Sequence, residues 1–204
     1  MQEIVDKIIA AGDKFKIIQQ EAKSIYKSSS AEECFNYAID FYKSEHCQVQ
    51  ELSVFILGYI APKLPEALSF LKETVSFNSD WKVQEILAMA FDSYCKEIGY
   101  ERAIPIITEW LNSDIANVRR AVTEGLRIWT SRAYFKENPN MAVTFLVALK
   151  NDESEYVRKS VGNALRDISK KHIDSIKKEV ETWDLSDKKV KQVYILASKF
   201  INKK

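Results

Sequence analysis

The chain reads as all-α, an α-solenoid (superhelix) of stacked helix pairs, and three observations predict it. Five valines, Val49, Val83, Val118, Val157 and Val190, each follow a short polar turn and open an apolar-periodic run, at spacings of 34, 35, 39 and 33 residues. Their neighbours repeat too: Val49-Gln50-Glu51, Val83-Gln84-Glu85, Val118-Arg119-Arg120 and Val157-Arg158-Lys159. Such a period marks repeats in which each helix pair buries its apolar face against its neighbours. Third, five glycines and four prolines in 204 residues are too few for a loop-rich β-protein. Pro65, Pro105 and Pro139 stand where a helix would begin, a position that tolerates a missing N–H.

The elements follow in order. An N-terminal helical segment occupies about residues 2–27, and five helix pairs follow. The first helices are expected at 31–44, 65–77, 101–112, 138–151 and 173–183, and the second at 48–60, 80–98, 115–133, 154–171 and 187–202. Turn and cap residues separate them: Asn78-Ser79-Asp80, Asn112-Ser113-Asp114, Asn151-Asp152-Glu153-Ser154 and Ser186-Asp187. No low-complexity linker interrupts the chain, so residues 1–204 are expected to form one repeat domain.

Counting from each opening valine splits the second helices into faces. Offsets 0, +3, +4, +7, +8 and +11 collect Val83, Ile86, Leu87, Ala90, Phe91 and Tyr94, then Val118, Ala121, Val122, Gly125, Leu126 and Trp129, then Val157, Ser160, Val161, Ala164, Leu165 and Ile168. This wide apolar stripe is the buried one. The adjoining stripe carries Trp81, Glu85, Met89 and Asp92, then Ala116, Arg120, Glu124 and Arg127, then Glu155, Lys159, Asn163 and Asp167. Second helices usually line the concave side of such a solenoid, so this mixed stripe is where a ligand would be met. Trp110 and Trp183 end first helices at similar offsets, which points to core packing.

Composition bounds the function. Apolar residues at 46% and charged residues at 29% are ordinary for a folded soluble protein. No apolar stretch approaches the ~20 residues of a membrane span, and Met1-Gln2-Glu3-Ile4 lacks a secretion signal. Cys34, Cys47 and Cys95, an odd number in apolar contexts, read as reduced core thiols of a cytoplasmic protein, expected to be monomeric. The net charge of +1 hides a polarity: residues 1–110 hold 11 basic against 17 acidic residues, and residues 111–204 hold 19 against 12. A basic half suggests a polyanionic partner, although solvated lysine-rich helices give the same count.

Two constellations carry chemistry. Trp81 and Glu85, one helical turn apart and off the buried stripe, set a π-face beside an anion, which suits a cationic ligand. The alternative is that Trp81 packs the turn while Glu85 is a solvated acid at a helix start. Arg119, Arg120, Arg127, Arg158, Lys159 and Arg166 fall at matching offsets of adjacent repeats. Adjacent second helices lie roughly 10 Å apart, so Arg120 and Lys159 could meet successive phosphates. Arg119 and Arg158 also fit a bracing role on the acidic turn. Glu124 and Asp167 either pair with these cations or serve as anionic site groups. His46 and His172 sit on different repeats with no ligand spacing, so no metal or other cofactor is expected, and no phosphate loop or nucleophile elbow occurs.

The stretches Asn117-Val118-Arg119-Arg120-Ala121-Val122-Thr123-Glu124-Gly125-Leu126-Arg127 and Glu155-Tyr156-Val157-Arg158-Lys159-Ser160-Val161-Gly162-Asn163-Ala164-Leu165-Arg166-Asp167-Ile168-Ser169-Lys170 resemble the bacterial DNA alkylation repair proteins of the AlkC/AlkD type. The resemblance implies HEAT-like repeats, duplex DNA as partner, and a DNA glycosylase that excises N3- or N7-alkylated purines. It implies Trp81 and Glu85 as the aromatic–carboxylate pair at the lesion, with Glu where Asp is usual, Arg120 as a backbone arginine, and Asp167 as the acid of an Asn-Asp-Ile-like segment. An alkylated purine is already cationic and leaves without a general acid, so one carboxylate that stabilises the developing sugar cation suffices. Two departures stand out. AlkD-type enzymes carry Trp in the segment where this chain has Asn163, and the AlkC-type proline-rich run is replaced by Ile128-Trp129-Thr130-Ser131-Arg132. The expected site is therefore Glu85 and Asp167 as catalytic acids, with Trp81, Asn163 and Glu124 against the substrate. The alternatives are a family member that binds unusual or branched DNA without excising a base, and a protein-binding repeat scaffold.

Overall fold

The computed structural model describes residues 2–201, and all regular structure among them is helical. The helices group into two compact units, divided between Ile98 and Gly99.

The first unit opens with α1 (Gln2–Ala11) and α2 (Phe15–Ser28). The expected N-terminal segment is thus two helices, because Gly12 takes φ +57°, a left-handed conformation open to glycine at little cost. The pairs α3 (Ala31–Tyr42) with α4 (Cys47–Ile60) and α5 (Pro65–Glu73) with α6 (Trp81–Ile98) follow. Helix α3 starts on a capping box: the Ser30 side chain accepts from the Glu33 N–H, and the Glu33 carboxylate accepts from the Ser30 N–H. A 3-10 turn, Val75–Phe77, finishes the stretch expected to continue α5. The unit is built around α4, which packs against α1, α2, α3, α5 and α6 and is buried on nearly every side from Val49 to Ile60.

The second unit holds α7 (Ile104–Leu111), α8 (Ala116–Gly125), the short α9 (Ala133–Glu137), α10 (Pro139–Val147), α11 (Glu155–Ser169), α12 (Ile173–Val180) and α13 (Lys188–Ala197). Its centre is α11, packed on α8, α10, α12 and α13. Asp187 caps α13 by accepting from the Lys189 and Val190 N–H groups. The expected end of the last helix at residue 202 lies outside the described residues. The cap expected from Asn112-Ser113-Asp114 is displaced: Ile115 occupies the N-cap of α8, and the Ser113 hydroxyl accepts from its N–H.

One expectation fails outright. The helix expected over 115–133 stops at Gly125, and the chain passes through a turn and the 3-10 segment Trp129–Ser131 into α9. Glycine is a poor helix former, and leaving the helix lets Trp129 join an aromatic cluster. Its ring lies 4.7 Å from that of Phe135 and 5.9 Å from that of Phe145. Trp110, Trp129 and Trp183 are all buried.

The stripe assignment holds. Every residue named for it is buried except Tyr94 and Gly125, which are half-buried, whereas the adjoining stripe is exposed or half-buried throughout. Cys34 and Cys95 are buried free thiols, and Cys47 is half-buried. Helices α4 and α6 approach so closely that a Cβ added at Gly58 would lie 2.7 Å from the Ala90 Cα. Gly58→Val is expected to cost about 1–3 kcal/mol of stability, since backbone cannot yield as a side-chain tip can. A denaturant midpoint equal to that of the unmodified protein would contradict this.

A recurrent latch fixes the start of four of the five second helices. The residue after the valine reaches back six positions to a turn carbonyl: Gln50 Nε2 to Ser44 O at 2.8 Å, Gln84 Nε2 to Asn78 O at 2.8 Å, Arg119 Nη1 to Ser113 O at 2.7 Å and Arg158 Nη1 to Asp152 O at 2.6 Å. Three of the four also engage the following repeat. Gln50 Oε1 accepts from Asn78 Nδ2, Arg119 donates to both Asp152 carboxylate oxygens, and Arg158 donates to Gln192 Oε1. The next residue along is Glu51, Glu85, Arg120 or Lys159.

Candidate functional site

In the first unit a cavity of about 530 Å³ is lined by Asp13, Phe15, Glu51, Trp81, Lys82, Glu85, Ile86 and Met89, a size typical of small-ligand clefts (about 300–1,000 Å³). Three elements build it. The bend at Gly12 delivers Asp13 and Phe15, the core helix α4 delivers Glu51, and the first turns of α6 deliver the rest. The α6 start is fixed by several bonds. Asp80 Oδ1 accepts from the Lys82 N–H at 2.8 Å, Asn78 ties it to Gln50, and Gln84 reaches back to Val75 O and Asn78 O. Lys82 Nζ clamps the bend through Asp13 Oδ1 at 2.5 Å, and this bond and charge hold the Asp13 carboxyl below its usual range.

Trp81 presents its indole at 65% exposure, and Glu85 stands one turn later on the same wall, half-buried. Glu51, which the sequence reading did not single out, is 5% exposed and lines the same cavity. Burial pushes its carboxyl up to about 7; the nearby Lys82 opposes this, and Asp80 and Asp13 add to it. The signal that could have found it was available, since Glu51 and Glu85 both sit two residues after an opening valine. The cavity therefore combines exposed aromatic surface with two glutamates, one partly desolvated, and suits a flat cationic group.

Four of the six cations expected to meet phosphate, Arg119, Arg127, Arg158 and Arg166, are committed to protein acceptors. The Arg119 guanidinium is bidentate on Asp152, at 2.6 and 2.8 Å, with side-chain exposures of 13% and 4%. Arg158 is held by Asp152 O, Glu153 O and Gln192. Arg127 bridges Glu124 at 3.0 Å and Asp167 at 2.9 Å. Glu124 is consumed on both oxygens, its second accepting from the Ser160 hydroxyl at 2.8 Å. Asp167 gathers Lys170 at 2.8 Å and Arg166 at 3.4 Å as well as Arg127. Burial acts to raise the Asp167 carboxyl, but hydrogen bonds from Lys170, Arg127 and Arg166 outweigh it and hold it down near 2. A carboxylate so surrounded accepts a proton poorly near neutrality and has its charge already compensated. Its observed part is the anchor of an ion network.

Lys159 differs in kind. It is exposed, and its ion pair with Glu155 is a surface i,i+4 pair at 2.7 Å, a contact weak enough to exchange for another anion. Asn163 is half-buried and lines a shallow depression of about 290 Å³ with Lys159, Gln192, Ile195 and Leu196. The helix beneath is held close to α13, since a Cβ at Gly162 would lie 2.7 Å from the Leu196 Cβ. Arg120, on α8, is half-buried. Among the described residues no cluster of three or more metal-ligating side chains occurs, and no helix is long and apolar enough to cross a membrane.

The repeated latch, the buried valine stripe and the cavity beside Trp81 define a helical-repeat protein with an aromatic, acid-lined cleft. Residues 7–194 match the family described as DNA alkylation repair enzyme, and the chain belongs to that family. It is similar to AlkD2 from Streptococcus mutans, with 53% identity and a TM-score of 0.90 over 93% of this chain and 91% of that one. It is also similar to the smu.31 protein from Streptococcus mutans UA159, with 52% identity, a TM-score of 0.89, and 91% and 92% of the two chains covered. The alkylpurine DNA glycosylase AlkC of Pseudomonas fluorescens, solved bound to DNA containing an abasic site analog, shares the fold at 23% identity and a TM-score of 0.52. The match covers 92% of this chain and 61% of that one. A stretch of 90 residues is 38% identical to the uncharacterized protein YhaZ of Bacillus subtilis (strain 168), spanning 42% of this chain and a quarter (25%) of that protein.

Proposed function

We propose that this protein engages DNA carrying a cationic, N-alkylated purine and takes the charged base against Trp81 and Glu85. Family membership supplies the substrate class. The single observation that carries the reading is the cavity in which an exposed indole and two glutamates face one space. Cation–π attraction of about 0.5–2 kcal/mol favours the charged base over a neutral one.

The grip on the phosphate backbone is expected to be light. Arg119, Arg127, Arg158 and Arg166 already satisfy protein acceptors, and the proposal takes Lys159, whose surface pair with Glu155 can exchange, as its first phosphate contact. Two or three neutralised phosphates correspond to a slope of about −2 to −3 when log affinity is plotted against log salt for duplex DNA. A titration of methylated duplex at several salt concentrations measures it, with Trp81→Ala run alongside. The expected result is that slope, together with a preference for methylated over unmethylated duplex that disappears in Trp81→Ala. A slope near zero would refute DNA binding, and an unchanged preference in Trp81→Ala would refute the pocket.

Excision of the bound base is a second reading, favoured by the placement of the Glu85 carboxylate on the wall beside Trp81. Its charge would stabilise the sugar cation as the purine departs and orient water behind it. The assay is release of methylpurine from methylated duplex, and the expected result is release that is lost in Glu85→Gln. Binding without release from any alkylated substrate would remove this reading and leave the first intact. Asn163, in place of the tryptophan of AlkD-type enzymes, and the committed arginines both weigh toward that outcome.

A further inference from the structure

Glu51 has the placement of a ligand group and no structural employment. It is 5% exposed, its side chain lines the cavity below Trp81 and Glu85, and no described residue donates a hydrogen bond to its carboxylate. A buried polar group without a partner is costly, so one kept facing a cavity marks what the cavity receives. Latching is done by Gln50, one residue earlier, and the fold has no further use for a carboxylate at this point of α4.

We infer that Glu51 is the second anion of the cation site, and that an incoming aromatic cation ionises it, so that binding expels a proton. The proposal rests on the cation-binding reading of the cavity given above. The charged groups facing Glu51 from the elements packed around it are Lys82 and Glu85 on α6, Asp80 at its cap and Asp13 at the α1–α2 bend. Lys82 is engaged by Asp13 and the other three are acids, so the uncharged form of Glu51 is favoured until a new cation enters. Its titration near neutrality, caused first by burial, agrees with this placement. The proton balance is simple. Glu51 loses one proton to the buffer, the ligand cation takes the place of that proton's charge, and no bond of the ligand breaks.

The probe is 1-methylnicotinamide, a flat monocation whose charge does not vary with pH, with neutral nicotinamide as control. Its affinity for the full chain is expected to rise about tenfold from pH 6 to pH 8, as the ionised fraction of a group titrating near 7 rises. Calorimetry at pH 7 in two buffers of different ionisation enthalpy should register about half a proton released per ligand bound. In Glu51→Gln the affinity should be flat over that range, and Lys82→Gln should move the midpoint upward because a positive neighbour is removed. Flat affinity with no proton release in the unmodified protein would overturn the inference even if Glu51→Gln failed to fold. A pH dependence that survives in Glu51→Gln would overturn it too. Failure of the probe to bind at pH 8 would instead overturn the cation-site reading itself.

Discussion

Replacing Asp152 by alanine is expected to cost about 3–5 kcal/mol of unfolding free energy, the range found when one partner of a buried ion pair is removed. The magnitude follows from what Asp152 holds. Its carboxylate receives both forks of the Arg119 guanidinium and, on Oδ1, the Ser154 N–H that starts α11. With side-chain exposures of 4% for Asp152 and 13% for Arg119, water replaces little of that when the carboxylate is deleted. The guanidinium would keep its bond to Ser113 O but lose its counter-charge in a poorly hydrated place. Denaturant unfolding followed by tryptophan fluorescence reads the second unit well, since Trp110, Trp129 and Trp183 all lie within it. A loss under 1 kcal/mol would mean that Arg119 finds another anion or reaches solvent, and would return it to the set of candidate phosphate contacts.

The second large effect is one of pH. Glu51 titrates near 7 in the folded chain against an ordinary value of 4.5, so between these values the folded state keeps a proton that the unfolded state has released. Raising the pH through that window therefore favours unfolding. The penalty is absent below about pH 4.5, grows with pH, and is complete above pH 7 at about 3 kcal/mol. Glu51→Gln removes the ionisation while keeping the shape. Relative to the unmodified protein it is expected to gain most of that amount, about 2.5 kcal/mol, between pH 5 and pH 8. A stability difference that stays constant from pH 5 to pH 8 would show that Glu51 ionises as freely folded as unfolded. Such a cost is usual where a fold keeps a strained group for function.

Much of this was legible in the sequence, for reasons that also explain what was not. The valine spacing set the register of the second helices because the buried stripe is almost wholly apolar, and it placed Trp81 and Glu85 off that stripe. Arg119 and Arg158 bracing the acidic turn was one of the alternatives open at that stage. Partners set far apart in sequence were harder to see. Arg119 meets Asp152 33 residues on, and Arg127 meets Asp167 40 residues on. A count of basic residues cannot tell a cation offered to solvent from one paired with the next repeat, so the count for residues 111–204 could not show that Arg119 and Arg127 face protein carboxylates. The break after Gly125 was hidden because Trp129 continues the helical period it in fact abandons for the rings of Phe135 and Phe145. Glu51 was passed over because its helix is apolar on nearly every side and offers no polar stripe to count along, although its place two residues after Val49 matches that of Glu85 after Val83.

The six-residue reach of Gln50, Gln84, Arg119 and Arg158 has an evolutionary corollary. A side chain that makes this contact must span from the first turn of a helix to the loop before it and end in a donor, which calls for a long side chain with a terminal N–H. What it meets one module downstream differs from place to place: Gln50 accepts from the Asn78 amide, Arg119 donates to the Asp152 carboxylate and Arg158 to the Gln192 amide oxygen. Modules of this chain are thus not freely interchangeable: transplanting one would require its successor's loop to travel with it, and substitutions at the two places should be inherited as couples.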